Sequence, residues 1–318
     1  MRRLAFACLL LLAAPADALG AGGPVPPVQG GVGVSLPGGP VRYVAVKVRG
    51  GTLVERVRTR DGRLERSRFF RSDLGIPAVT FDGTTTGLSG DGRTLVLANM
   101  IRHYPPRRTE LVVLDTRTLR ARWARVFSSY FAVDAVSPDG RWLYLIRYPS
   151  ANDPFRYEVR TFDVLRQRLL PDPVVDPREP DEKMTGIPIA RTVSAHGRWA
   201  YTLYQKQNGG AFIHALDTLG RTAACIDLPS SLTGDMGSEH LRLAADGRTL
   251  LVETAARAQA VVDTATLKVR EPGEPAAAPA PRPDPPAEGD SPWVLVLIPL
   301  AALAALPALR RRRHRLGS

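Results

Sequence analysis

The chain has 318 residues, 44% of them hydrophobic, which suffices for one large all-β domain or two smaller ones. Its formal charge of +12 invites a nucleic-acid reading, yet seven of the 43 basic residues (Arg2, Arg3, Arg310, Arg311, Arg312, Arg313 and Arg315) and one of the 31 acidic ones (Asp17) lie at the two ends, leaving +6 between. Half of the excess is therefore targeting charge, and no nucleic-acid partner is expected. The two cysteines, Cys8 and Cys225, permit neither a disulfide framework nor a cysteine metal pair once Cys8 is assigned to a leader.

Residues 1–18 combine a charged start, the apolar run Leu4–Ala14 and the small-x-small site Ala16-Asp17-Ala18, the pattern of a cleaved secretory signal peptide. The competing reading is an uncleaved anchor. Cys8 is a poor lipid acceptor because the apolar run continues past it. Residues 19–31 are rich in Gly and Pro and read as a flexible lead-in.

A turn then recurs. It reads Ser89-Gly90-Asp91-Gly92-Arg93, Ser137-Pro138-Asp139-Gly140-Arg141, Ser194-Ala195-His196-Gly197-Arg198 and Ala245-Asp246-Gly247-Arg248, each followed by an apolar strand-like run. Gly supplies a positive φ at no steric cost and Asp bonds nearby amides, so each copy predicts a tight antiparallel connection. In the third copy His196 replaces the Asp and reads as a turn residue. About twenty residues after each turn comes a second strand ending in an Asp turn, at Leu111–Leu119, Val159–Val164, Phe212–Leu219 and Ala260–Leu267. Val34–Gly39 stands as a faded first copy, with Val41–Val48 as the next strand and Arg60-Asp61-Gly62-Arg63 as its last hairpin. The glycines recur at spacings of about 50 residues, which with four strands per unit predicts β-propeller blades over residues 32–270. A β-sandwich with coincidental Asp-Gly turns is the alternative.

The Ser-Pro-Asp-Gly-Arg turn and the Leu-Asp-Thr-x-Thr-Leu run resemble the YVTN/WD40-like repeats of bacterial extracytoplasmic β-propellers. The resemblance implies an all-β propeller of about five four-stranded blades, with a larger ring of degenerate blades left open. It implies little about function, because propellers host binders, scaffolds and enzymes.

Pro171–Glu182 holds four prolines that exclude a central strand and reads as an acidic surface loop. Calcium is conceivable there, but the spacing matches no recognised loop. Residues 271–291 form a Pro/Ala linker. Residues 292–309 contain an uncharged run from Trp293 to Leu309 at the short end of a membrane span, and the arginines in 310–318 place that tail in the cytoplasm. No sorting pentapeptide precedes the run. The expected product is a single-pass cell-membrane protein with its propeller outside.

No phosphate loop, nucleophile elbow or HExxH pair occurs, and no catalytic residue, metal or cofactor is assigned. His214, in a strand, reads as packed or solvated rather than as a ligand, and a polar cluster of Asp235, Glu239 and His240 is conceivable. In a propeller the loops between second and third strands share one face with the connections between blades. Here they supply Arg102, His103, Tyr104, Arg107 and Arg108, then Asn152 and Asp153, then Lys206 and Asn208, as candidate ligand-binding residues. The first loop, basic with one aromatic ring, suits an acidic or sugar-like partner. The expectation is a binding or scaffold module for a protein or an anionic envelope polymer. A lactonase-like hydrolase, a quinoprotein-like dehydrogenase, or an accessory part of an envelope-sensing complex stands as the alternative.

Overall fold

The structure, a computed structural model, describes residues 24–274 apart from 104–105, 151–152, 154, 182, 208, 231–237 and 256. The expected leader, the linker beyond its first four residues, the membrane span and the tail lie outside the described residues. No helix among the described residues is long and apolar enough to cross a membrane.

The strands form five separate four-stranded antiparallel sheets, each a meander of consecutive strands. The first holds β1 (Val34–Ser35), β2 (Val41–Val48), β3 (Gly51–Arg58) and β4 (Leu64–Phe70). The second holds β5 (Leu74–Gly75), β6 (Thr94–Asn99), β7 (Thr109–Asp115) and β8 (Ala121–Phe127). The third holds β9 (Phe131–Val136), β10 (Trp142–Arg147), β11 (Glu158–Asp163) and β12 (Arg168–Val174). The fourth holds β13 (Ile187–Val193), β14 (Trp199–Gln205), β15 (Ala211–Asp217) and β16 (Thr222–Asp227). The fifth holds β17 (Glu239–Leu243), β18 (Thr249–Thr254), β19 (Arg257–Asp263) and β20 (Val269–Arg270). Five separate meanders are propeller blades and not the two face-to-face sheets of a sandwich.

The sequence repeat works through its hydrogen bonds. In the second blade Ser89 Oγ donates to Asp91 Oδ1 at 2.6 Å, the amide of Arg93 donates to the same carboxylate, and the amide of Thr94 donates back to Ser89 Oγ. Ser137 and Asp139 repeat this in the third. The Asp turn between third and fourth strands lies at the same end. Thr116 Oγ1 donates to the carbonyl of Gly92 at 2.6 Å, and Thr59, Thr218 and Thr264 do the same to Gly39, Gly197 and Gly247. Four of the five blades thus clip the outer turn onto the inner one through a threonine, the faded first copy among them, and the third keeps only the backbone bond from Val164 to the Arg141 carbonyl.

Alternating side chains fill the seams. Val34, Tyr43, Ala45 and Val54 of the first blade pack on Leu95, Leu97, Val112 and Leu114 of the second. Val96, Leu111 and Val113 then meet Leu143, Leu145 and Phe162 of the third. Tyr144 and Val159 meet Ala200 and Leu216 of the fourth, whose Leu203 and Ile213 meet Leu250 and Val252 of the fifth. Each face reads as every second residue of its strand, which is why apolar runs here are nearly continuous: both faces are covered.

Three segments depart from the sequence reading. Residues 24–31, expected as a flexible lead-in, are fastened to the first two blades: Val28 exchanges two backbone bonds with Ile76, and Gly30 donates to Ala45. Pro171 and Pro173 lie inside β12, not in a loop. They are tolerated because β12 is the outermost strand of its sheet, where a missing N–H need not pair. The inner strand of the second blade is interrupted after Gly75 by an excursion in which Ala78 pairs with Thr85 before Leu88 rejoins Leu95.

Candidate functional site

The loop between β6 and β7 builds one wall of an open cleft of about 690 Å³. Arg102, His103, Arg107 and Arg108 line it together with Met100 and Ile101. Ser72 and Asp73, from the connection between the first two blades, form the facing wall with Glu110 and Asn99. The loop bends back because its ends are tied: the amide of Glu110 donates to Asn99 Oδ1 at 2.6 Å, and Ser72 Oγ donates to Glu110 Oε1 at 2.8 Å.

Asp73 is the hub of this cleft. Lys47 Nζ lies 2.5 Å from Oδ1, Arg102 Nη2 lies 2.6 Å from Oδ2, and Gln29 Nε2 donates to Oδ1 at 3.0 Å. The hydrogen bond from Lys47, seconded by Gln29 and Arg102, holds its carboxyl below the usual carboxylate range. Asp73 is therefore ionised and fully occupied at neutral pH, and it is not available as a general acid. Arg107 and Arg108 are exposed and, among the described residues, enter no ion pair. What the cleft offers chemically is donors for an anion.

The surrounding charge has the same sign. Residues 34–73 contain ten basic and four acidic side chains, and residues 74–127 contain eight and four. Residues 128–274 contain 17 basic and 19 acidic ones. The positive excess of the propeller lies in the two blades that build the cleft.

The remaining candidates stand elsewhere. Asp153 is exposed beside the third blade, and Lys206 is paired with Asp227 at 2.9 Å while its ammonium lies 5.2 Å from the Phe212 ring centroid. Tyr104, Asn152 and Asn208 fall outside the described residues, as does Asp235. Glu239 and His240 are adjacent in β17 and so project to opposite faces of the sheet. Lys47, Ser72, Asp73 and Glu110 escaped the sequence reading. The face shared by inter-blade connections and second-to-third loops was the available signal, and Asp73 sits in such a connection.

The turn residues Asp91, Gly92, Asp139, Gly140, His196, Gly197, Asp246 and Gly247 serve the scaffold. His196 adopts φ 65°, a left-handed conformation that Asp91, Asp139 and Asp246 at the matching positions do not share. A second cavity of about 400 Å³ is lined from the first four blades, with Val34, Leu88, Val136 and Val193 beside Thr85, Thr86 and Arg191. Arg191 is fixed 2.5 Å from Asp134, both about 3% exposed, and donates also to Thr202. His214 faces Thr202 and Cys225 across neighbouring strands. Burial lowers its pKa, so it is neutral at pH 7 and packed, the first of the two placements its strand position left open. In the acidic segment, burial acts to raise the pKa of Asp176, but bonds from Arg178 and the Cys225 amide prevail and bring it to about 2. Both its oxygens are already engaged by Arg178. Among the described residues no group of three His, Cys, Asp or Glu side chains is placed to hold a metal ion.

No protein-family model and no curated protein sequence matches the chain. Solved structures do. Hydrazine synthase of Kuenenia stuttgartiensis is 16% identical over 74% of this chain and 68% of its own, with a TM-score of 0.44. The β-propeller domain of Myceliophteria thermophila Cps50 (Swd1) is 13% identical over 81% and 71%, with a TM-score of 0.41. A putative TolB from Agrobacterium tumefaciens is 13% identical over 78% and 79%, with a TM-score of 0.40. Likenesses this distant carry no functional argument; the chain is an all-β propeller of five four-stranded blades.

Proposed function

We propose that this chain is an extracytoplasmic binding module that captures an anionic polymer of the cell envelope in the cleft between its first two blades. The observation that carries the reading is the pair Arg107 and Arg108, uncompensated at the rim of a cleft whose buttressing carboxylate, Asp73, is already saturated by Lys47 and Arg102. Guanidinium forks match phosphate and carboxylate geometry, and the +10 excess of the two blades raises the local concentration of polyanions. The Trp293–Leu309 run would tether the module, with the linker 271–291 as its stalk. The turn motif supports reading its repeats as YVTN/WD40-like.

The test uses poly(glycerol phosphate) as the probe and the full-length protein. Binding is expected to weaken with salt, and Arg107→Glu/Arg108→Glu is expected to weaken it at least tenfold with an unchanged melting temperature. Binding insensitive to that double change, or no binding at low salt, would overturn the reading. Tethering is checked separately: the full chain should remain in membranes after alkaline extraction, and a chain ending at residue 291 should be released.

A further inference from the structure

The outermost strand of a blade presents unpaired backbone groups, and proteins blunt such edges with prolines, covers, shortness or charge. Three of the five edges here are closed by the first three devices. β12 carries Pro171 and Pro173. β16 is capped by the segment after β12, with the Ala223 amide bonded to the Val175 carbonyl and the Cys225 amide to Asp176. β20 is two residues long.

β4 and β8 are both seven residues long and free of proline. They differ in what their arginines do. On β8, Arg122 is tied to Thr94, Asp115 and the Arg93 carbonyl, and Arg125 to the carbonyl of Gln167 in the next blade. On β4, Arg66 and Arg68 enter no ion pair among the described residues, and six of the seven positions are exposed. They project from the same side of the strand, two residues apart, opposite Arg56 and Val54 of β3. The one acid of the strand, Glu65, is consumed by Arg56 and Arg58 at 2.9 and 3.0 Å. On the opposite side Phe69 stands 47% exposed.

We infer that β4 is a docking edge for an extended acidic peptide segment, which adds as a fifth strand to the first blade. Like charge on the edge repels a second copy of itself, whereas acidic residues at alternate positions of an incoming strand meet Arg66 and Arg68 at the spacing of the pleat, about 6.8 Å. Backbone pairing supplies the affinity and the alternate side chains the selection. This surface is distinct from the cleft lined by Arg107 and Arg108, and it selects a protein partner.

The probe is a labelled eight-residue peptide of alternating Glu and Val, followed by fluorescence anisotropy with the full-length protein. Binding is expected, together with slowed hydrogen exchange of the β4 amides. Methylating the peptide's alternate backbone nitrogens keeps its charge and removes its donors, and should weaken binding at least tenfold. Arg66→Glu/Arg68→Glu, at exposed positions, should do the same with the melting temperature unchanged, whereas Arg107→Glu/Arg108→Glu should leave the peptide's affinity unaltered. Equal binding of the methylated peptide, loss of binding only in the cleft variant, or a protein dimer formed through β4 in place of peptide binding would each overturn the inference.

Discussion

The second and fifth blades carry nearly the same turn, Ser89-Gly90-Asp91-Gly92-Arg93 and Ala244-Ala245-Asp246-Gly247-Arg248, in opposite surroundings. The second packs at the axis: the Asp91 amide donates to the Pro138 carbonyl at 2.8 Å, and the backbone of Gly90 lies against that of His196 in the fourth blade. The fifth stands clear, with nothing within 4 Å of the side chain that Gly247 lacks. The position of Gly90 is filled by Pro138, Ala195 and Ala245 in the other copies, so the turn itself does not require glycine there. A neighbour does. The fifth copy has also lost its serine, and with it the hydroxyl that in the second and third blades bridges the aspartate and a backbone amide. One local motif therefore carries two loads: it closes a hairpin everywhere, and it builds the centre of the molecule only where other blades press on it.

The largest effect that would break this contrast comes from Gly90→Ala. Its new Cβ would sit 1.9 Å from the His196 carbonyl oxygen, a backbone atom that moves only with its blade. A loss of about 3 kcal/mol or more is expected in chemical denaturation, against about 1 kcal/mol for Gly247→Ala, whose cost is its positive φ alone. Equal losses at the two sites would show that the axis packing carries no special weight.

Next in size are the serines. Ser137→Ala removes the acceptor of the Trp142 amide and the donor to Asp139, for an expected loss of about 1–2 kcal/mol. The converse change, Ala244→Ser, supplies a hydroxyl at the matching place and should raise stability by about 0.5–1 kcal/mol. A stabilised Ala244→Ser variant sharpens the comparison, because it restores in the fifth copy what the second and third possess.

The smallest and most gradual effect is on pH dependence. His214, buried in the fourth blade, has a pKa lowered from 6.5 by burial, so the unfolded chain binds a proton there before the folded one. The stability tied to its neutral form is complete above pH 6.5 and is lost as the pH falls from there through the lowered folded value. Asp115, whose pKa the bond from Arg122 and those from Thr118 bring from 3.8 to about 2, adds a later loss as the pH falls below 3.8 through about 2. Urea midpoints measured from pH 8 to pH 2 should fall in two stages, and His214→Gln should flatten only the first. The fifth blade has no buried titratable counterpart among its described residues, so Arg242→Gln, at its exposed pair with Glu253, should leave the first stage untouched.

Much of the blade architecture was legible because its signals are local. A positive φ at Gly, a carboxylate bonding its own turn and alternation over six or seven residues need no knowledge of what lies across the molecule. The faded first copy could be read for the same reason: Arg60-Asp61-Gly62-Arg63 and Val41–Val48 carry their pattern within reach of one hairpin. Part of the cleft was equally readable, since Arg102, His103, Arg107 and Arg108 occupy one short loop. Its facing wall was not. Asp73 acquires its role only when Lys47, Gln29 and Arg102, spread over more than seventy residues of chain, converge on its two oxygens.

By itself the sequence determined that the chain folds as repeated four-stranded hairpin units and where each turn falls, because those properties depend on neighbours in the chain and on hydrophobic period. Only the tertiary structure decided that Gly90 must be glycine, that Asp134 and Arg191 from adjacent blades form one buried pair, and that the arginines of β4 face solvent while those of β8 are spent. Those facts are set by contacts between residues far apart in sequence, whose burial and pairing exist only once the blades are docked.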